Sequence, residues 1–191
     1  MKYLVVVDMQ NDFIDGALGT PEAQAIVPEV VKKIEDFDGI VMWTQDTHDS
    51  NYLSTQEGQL LPVEHCIGGS NGWKLHPSVE EAIIRKEGKF TSHGPFLKCT
   101  FGSYDLGDTL QDEYCRHTCG AHWDGVDEIV LVGLCTDICV ISNALLLKTF
   151  LPKVKIVVDA SCCAGVTPER HKTALEAMKA CQIFIENEVA E

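Results

Sequence analysis

Three stretches of this chain are apolar at every position, with no polar alternation: Tyr3-Leu4-Val5-Val6-Val7, Ile40-Val41-Met42-Trp43 and Ile129-Val130-Leu131-Val132. A strand that is apolar on both faces has to be covered on both faces. This rules out a sheet with one side in water and calls for helices above and below it. Helical patterns stand between the strands. Ala25 to Phe37 carries a stripe at Ile26, Val27, Val30, Val31 and Ile34. Ser78 to Lys86 reads as a short helix capped by Ser78, Asp108 to Tyr114 as another, and Ser142 to Phe150 as a third. Thr167-Pro168 opens a helix to about Ala180, with Pro at its first position. Further strands are expected at Phe96 to Thr100, Glu128 to Leu134, Lys155 to Val158 and Gln182 to Ile185. Strands alternating with helices predict an α/β fold with a mainly parallel sheet between two helical layers. The 191 residues fit one domain, 1–191, with no internal repeat.

In such sheets ligands bind beyond the carboxyl ends of the strands. Asp8 ends the first strand, Asp46 follows the second, Lys98 ends or follows the third, and Cys139 follows the fourth. The corner Gly133–Val140, GLCTDICV, leads from strand to helix, with Thr136 and Asp137 both good N-cap types. A cysteine in the first turn of a helix meets unpaired N–H groups and a partial positive charge, which favour the thiolate. The alternative is a small buried core cysteine. An acid directly after Val5-Val6-Val7 needs a partner, and Lys98, with Phe96, Leu97 and Phe101 around it, is the natural one. Cysteine, carboxylate and ammonium together make an acyl-transfer set. The carboxylate takes the thiol proton and returns it to a leaving amine, while the lysine balances the charges. Backbone N–H groups near Cys135, Thr136 and Cys139 offer an oxyanion hole. The competing structural reading is an Asp–Lys ion pair beside an unrelated core cysteine.

A second constellation lies in the long segment Gln45 to Pro77, which is rich in Asp, Asn, Ser, Gly and His; loops of that length are usually functional. Asp46-x-His48 puts two ligands on the same side of an extended segment, and His65 and Glu57 follow in the same loop. Asp, His and His with open positions suit a divalent metal, with zinc favoured and iron or manganese as the alternatives. The remaining histidines, His76, His93, His117, His122 and His171, read as surface or structural residues.

The formal charge of −14 argues against nucleic acid and anionic membranes as partners. No apolar run approaches the roughly 20 residues of a membrane span, and no export signal opens the chain, so a cytoplasmic protein is expected. Its nine cysteines then read as reduced thiols, with Cys135, Cys162, Cys163 and Cys181 in the core. Cys115, His117, Cys119 and His122 match no closed structural zinc site.

Five stretches carry a resemblance: VVVDMQNDF from Val5, TQDTH from Thr44, LPVEHCIGGSNGWKLHP from Leu61, KCTFGSY from Lys98, and GLCTDICV. Together they resemble the isochorismatase-like cysteine hydrolases, and among these the nicotinamidases. The resemblance implies a three-layer α/β/α sandwich with a six-stranded parallel sheet, Rossmann-like in plan. It implies a catalytic triad of Asp8, Lys98 and Cys139, and a cis peptide between Cys135 and Thr136 that aims the amides of Cys135 and Cys139 at an oxyanion. It makes Asp46, His48 and His65 metal ligands, Glu57 a fourth ligand, and Phe13 an aromatic lining residue. The expected reaction is hydrolysis of a small amide, nicotinamide to nicotinate and ammonia, through a thioester on Cys139. Carbamoyl or ureido amides are the alternative substrates. An isochorismatase reaction needs no metal, and members with that activity typically lack the cysteine. Nicotinamidases often carry Trp-Pro before the histidine ligand, whereas Leu61-Pro62 stands here. That leaves a ring wall missing, or supplied by Trp43, Tyr52 or Tyr104. A small-molecule substrate and a homo-oligomer are the expected partners. A different class remains open: a non-catalytic metal-binding or redox-sensing protein that kept the fold, with metal on its cysteines and an unreactive Cys139.

Overall fold

The computed structural model describes residues 1–87, 93–119 and 125–188, with the side chains of 87 and 116–119 outside that description. The elements run β1 (Lys2–Val7), α1 (Asn11–Ile14), α2 (Pro21–Asp36), β2 (Ile40–Asp46), α3 (Gln56–Leu60), α4 (Pro77–Glu87) and β3 (His93–Lys98). They continue with α5 (Tyr104–Cys119), β4 (Glu128–Leu134), α6 (Ile141–Phe150), β5 (Lys155–Ala164), α7 (Pro168–Ala180) and β6 (Phe184–Glu186). The strands form one six-stranded sheet in the order β3-β2-β1-β4-β5-β6, and every pairing is parallel.

The period of two along each strand divides the apolar runs between two cores. Tyr3, Val5 and Val7 face one way with Ile129 and Leu131, and pack against Leu106 and Leu110 of α5, Ala144 and Leu147 of α6, and Leu175 and Met178 of α7. Leu4, Val6, Val130 and Val132 face the other way, against Val27, Val30 and Ile34 of α2 and Val79, Ala82 and Ile83 of α4. The continuous apolar runs therefore mean what they predicted, a sheet buried on both sides. α2 starts at Pro21, four residues earlier than its stripe suggests, because Thr20 caps it by accepting from the Ala23 N–H at 3.0 Å. α5 is also longer than expected. Its apolar side is thin, Leu106, Leu110 and a partly buried Tyr114, so the polar remainder masked its first turn.

β1 is flanked by β2 on one side and β4 on the other, so the chain's direction of winding reverses beside it. The ends of β1, β2, β3 and β4 open onto that switch point. The corner after β4 differs from expectation in two ways. The cis peptide joins Leu134 to Cys135, not Cys135 to Thr136. Thr136–Val140 forms one π-helical turn ahead of α6, and neither Thr136 nor Asp137 caps it; Cys135 holds the cap position with no side-chain bond. Gly133 stands at φ +119, where a Cβ would overlap the Val7 carbonyl oxygen, so only glycine lets β4 end this close to β1. The described cysteines are free thiols, and Cys181 is exposed, not in the core, because it follows the last turn of α7. Among the described residues no helix is long and apolar enough to cross a membrane.

Candidate active site

Lys98, the last residue of β3, is the meeting point of the strand ends. Its Nζ lies 2.6 Å from Asp8 Oδ2, 3.5 Å from Asp46 Oδ1, and donates to Cys139 Sγ at 3.5 Å. Asp8 has no exposed surface. It turns off β1 at φ 46, a left-handed conformation that aspartate tolerates better than most residues. Thr44 of β2 donates its hydroxyl to Asp8 Oδ1 at 2.7 Å and accepts from the Asp8 N–H at 3.3 Å. Among the described residues the Lys98 ammonium is what compensates the buried Asp8 Oδ2.

The charges in this pocket move one another. Burial pushes the Asp8 carboxyl up, and the Lys98 charge offsets this only in part. Burial alone would lower Lys98, but the anions around it, Asp8 first, hold the ammonium well above the usual lysine range. Burial also pushes the Cys139 thiol up, the Asp8 charge adds to that, and Lys98 opposes it. Burial in the π turn and the neighbouring carboxylate thus oppose the thiolate that a helix start favours, and the Lys98 ammonium supports it.

The second constellation assembles 3.5 Å from the same ammonium. His48 Nε2 lies 3.0 Å and His65 Nε2 3.5 Å from Asp46 Oδ2. The ligand atoms of Asp46, His48 and His65 all fall within 4.8 Å of one another, and all three residues are buried. Glu57, in the first turn of α3, brings Oε1 to 3.7 Å from His48 and 4.0 Å from His65. His65 Nδ1 is bonded to the Val63 carbonyl at 2.8 Å, which fixes the ring and leaves Nε2 facing the cluster, the usual second-sphere arrangement of a metal-binding imidazole. Two imidazoles and the Asp46 carboxylate converging at this spacing, with Glu57 alongside, fit a divalent metal ion. Replacing His48 or His65 with alanine is expected to strip stoichiometric metal from the purified protein, as read by elemental analysis. Glu57→Gln, which keeps an oxygen donor on a more exposed residue, is expected to retain more. Unchanged metal content in the histidine variants would move the metal elsewhere.

Several residues that hold these groups were not assigned from sequence. Gln10 is fully buried and clamps the end of β2: its Oε1 accepts from the Asp46 N–H at 2.7 Å, and its Nε2 donates to the carbonyls of Asp46 and Trp73, both at 2.8 Å. Asp12 accepts from the Cys66 N–H at 2.8 Å, which pins the residue after His65. Asn143 of α6 donates to the Cys139 carbonyl at 2.8 Å and accepts from the Ser103 N–H at 2.9 Å, tying the turn that carries Cys139 to the loop after Lys98. Gln10 and Asp12 lie within the stretch Val5–Phe13, but nothing in their spacing says which backbone they hold.

The aromatic candidates separate. Tyr52 is buried against both imidazoles, 4.6 Å from His48 and 4.9 Å from His65 between ring centres, and its hydroxyl donates to the Leu61 carbonyl. Phe13 stands 5.5 Å from His65. Trp43 alternates with Thr44 along β2, so it faces away and lines a cavity of about 230 Å³ with Trp73, Ile83 and Pro95. Tyr104 is 66% exposed and packs on Phe150 at 5.6 Å, not on the histidines. In the cysteine- and histidine-rich stretch, Cys115 is exposed. His122 and the side chains of His117 and Cys119 lie outside the described residues.

The model of the isochorismatase domain matches residues 2–188. The chain is 25% identical to the nicotinamidase of Saccharomyces cerevisiae, over 97% of this chain and 99% of the relative. It is 29% identical to a probable inactive nicotinamidase of Arabidopsis thaliana, over 92% and 87%. Among solved structures it is similar to the nicotinamidase/pyrazinamidase of Bacillus subtilis, with a TM-score of 0.79 and 26% identity over 96% and 98% of the two chains. It is also similar to the pyrazinamidase of Pyrococcus horikoshii in complex with zinc, with a TM-score of 0.72 and 25% identity over 96% and 97%.

Proposed function

The chain belongs to the isochorismatase family of hydrolases, and from that membership we propose that it is a metal-assisted cysteine amidase that converts nicotinamide to nicotinate and ammonia. One observation carries the reading: the Lys98 ammonium touches Asp8, Cys139 and Asp46, so the acyl-transfer set and the metal donors share one pocket. Asp46, His48 and His65, with Glu57 beside them, would hold a divalent ion, for which zinc is the first choice, and that ion would supply a Lewis acid to the substrate's ring. Phe13 lines the ring, and the exposed Tyr104, packed on Phe150, stands apart from the histidines.

The raised Asp8 and raised thiol fit proton transfer during attack, not a thiolate formed beforehand. Asp8 takes the proton as Cys139 Sγ bonds to the carboxamide carbon, and the carbonyl π pair moves onto oxygen. The N–H groups of Cys135 and Cys139 receive that oxyanion. Asp8 then returns its proton to the amide nitrogen, the C–N bond breaks, and ammonia leaves a thioester. Water attacks the thioester with Asp8 as base, the C–S bond breaks, and the sulfur recovers its proton. Lys98 stays protonated throughout and keeps the carboxylate and sulfur charges compatible with burial.

Ammonia release from nicotinamide by metal-loaded protein tests the proposal. If nicotinamide survives while a carbamoyl or ureido amide is cleaved, the substrate is wrong and the reaction class stands. If no small amide is cleaved and iodoacetamide shows no preference for Cys139, the amidase reading fails, and the non-catalytic reading takes its place.

A further inference from the structure

His171 lies on α7, outside the strand ends that carry the reacting groups, yet its Nδ1 stands 2.7 Å from Thr136 Oγ1. Thr136 is the first residue of the π turn and is completely buried. A hydroxyl in that position needs a partner, and the imidazole supplies it. The same stretch of chain holds the turn at its next residue, where Asp137 Oδ1 accepts from the Val166 N–H at 2.9 Å. His171 is itself fixed closely: a Cβ at Gly165 would press on its backbone nitrogen and Cα, so α7 seats against the end of β5 only with glycine there. Burial lowers the His171 pKa, opposed by the charges of Asp137 and Glu188, which suits a neutral ring whose Nδ1 accepts the Thr136 hydroxyl. Within the turn, the N–H groups of Ile138 and Val140 both donate to the Cys135 carbonyl, at 3.1 and 3.0 Å, so residues 135–140 move as one unit.

We infer that His171 is a positioning residue for the oxyanion hole, holding Thr136 and through it the turn that presents the Cys135 and Cys139 amides. The inference rests on the amidase reading above. It has a signature that a purely structural role lacks. Amide hydrolysis passes through an oxyanion, whereas alkylation of a thiol by iodoacetamide does not. A displaced oxyanion hole should therefore slow the first and spare the second.

The test compares wild type, His171→Ala and His171→Asn for nicotinamide turnover and for the rate of Cys139 alkylation by iodoacetamide. For His171→Ala, kcat is expected to fall about 10- to 100-fold with KM within about twofold, somewhat less than the loss of an oxyanion donor itself. The alkylation rate is expected to stay at the wild-type value. His171→Asn, whose amide can meet the Thr136 hydroxyl, is expected to recover most of kcat. The inference is overturned if His171→Ala turns over within about threefold of wild type, if alkylation falls in parallel, or if asparagine is no better than alanine. Should His171→Ala fail to fold, Thr136→Ser against Thr136→Val carries the same comparison, with the hydroxyl kept in one and removed in the other. Wild-type inertness on nicotinamide would instead sink the substrate reading. In that case p-nitrophenyl acetate, which also forms a tetrahedral oxyanion, becomes the probe for His171.

Discussion

Cys139→Ala lowers amide hydrolysis by about 10⁴-fold or more, the expected result when a covalent nucleophile is removed from a set that acts as a unit. Asp8, Lys98 and the oxyanion donors remain, but none can form the thioester. Cys139→Ser should be nearly as inactive. A serine hydroxyl is far less acidic than a thiol, and a carboxylate is too weak a base to take its proton even when burial raises it. Cys139 is not among the metal donors, so elemental analysis of both variants should match wild type. Ammonia release that survives in Cys139→Ala would mean direct attack by water and would end the thioester mechanism.

Lys98→Met is expected to remove activity and to destabilise the fold by about 3–5 kcal/mol near neutral pH, because it leaves the buried Asp8 carboxylate without its counter-charge. The pH dependence identifies the cause. Asp8 is raised already, and without Lys98 it rises further. Between its unfolded value of about 4 and its folded value, the folded chain holds a proton that the unfolded chain does not. Stability therefore falls as pH rises through that window, and the deficit of the variant should be small at about pH 5 and large at about pH 8. Denaturant unfolding at the two pH values measures it. A deficit equal at both would show that the variant suffers from lost packing and not from a buried charge. Adding Asp8→Asn to Lys98→Met should restore much of the stability while leaving the protein inactive.

The sheet was legible because its strands are apolar on both faces, a pattern few other architectures satisfy. Glu128–Leu134 and Pro168–Ala180 were readable to the residue, the first from its unbroken apolar run and the second from Thr167-Pro168. Asp8, Asp46, Lys98 and Cys139 were each readable as strand-end residues, and they do converge. What sequence did not reach was environment. The balance between thiol and thiolate at Cys139 depends on how deeply the turn is buried and how near Asp8 and Lys98 lie, and neither is local. Tyr52, Tyr104 and Trp43 were equal candidates for a ring wall; the face of β2 turns Trp43 away, and the turn after β2 brings Tyr52 against His48 and His65. Gln10, Asp12 and His171 act through backbone or side-chain partners far away in sequence, which no pattern of spacing encodes, and Asn143 joins such a partner, Ser103, to the nearby Cys139.

The order of strands in the sheet also governs when this protein becomes competent. Asp8, Asp46, Lys98 and Cys139 stand at or just beyond the ends of four strands, and β1 must find β2 on one side and β4 on the other before all four can meet. Such pairings between distant parts of the chain close late in folding. Regained turnover during refolding should therefore lag behind regained helix, with no partly active species on the way. An assay of ammonia release would then report completion of the whole central sheet, not the integrity of one corner of it.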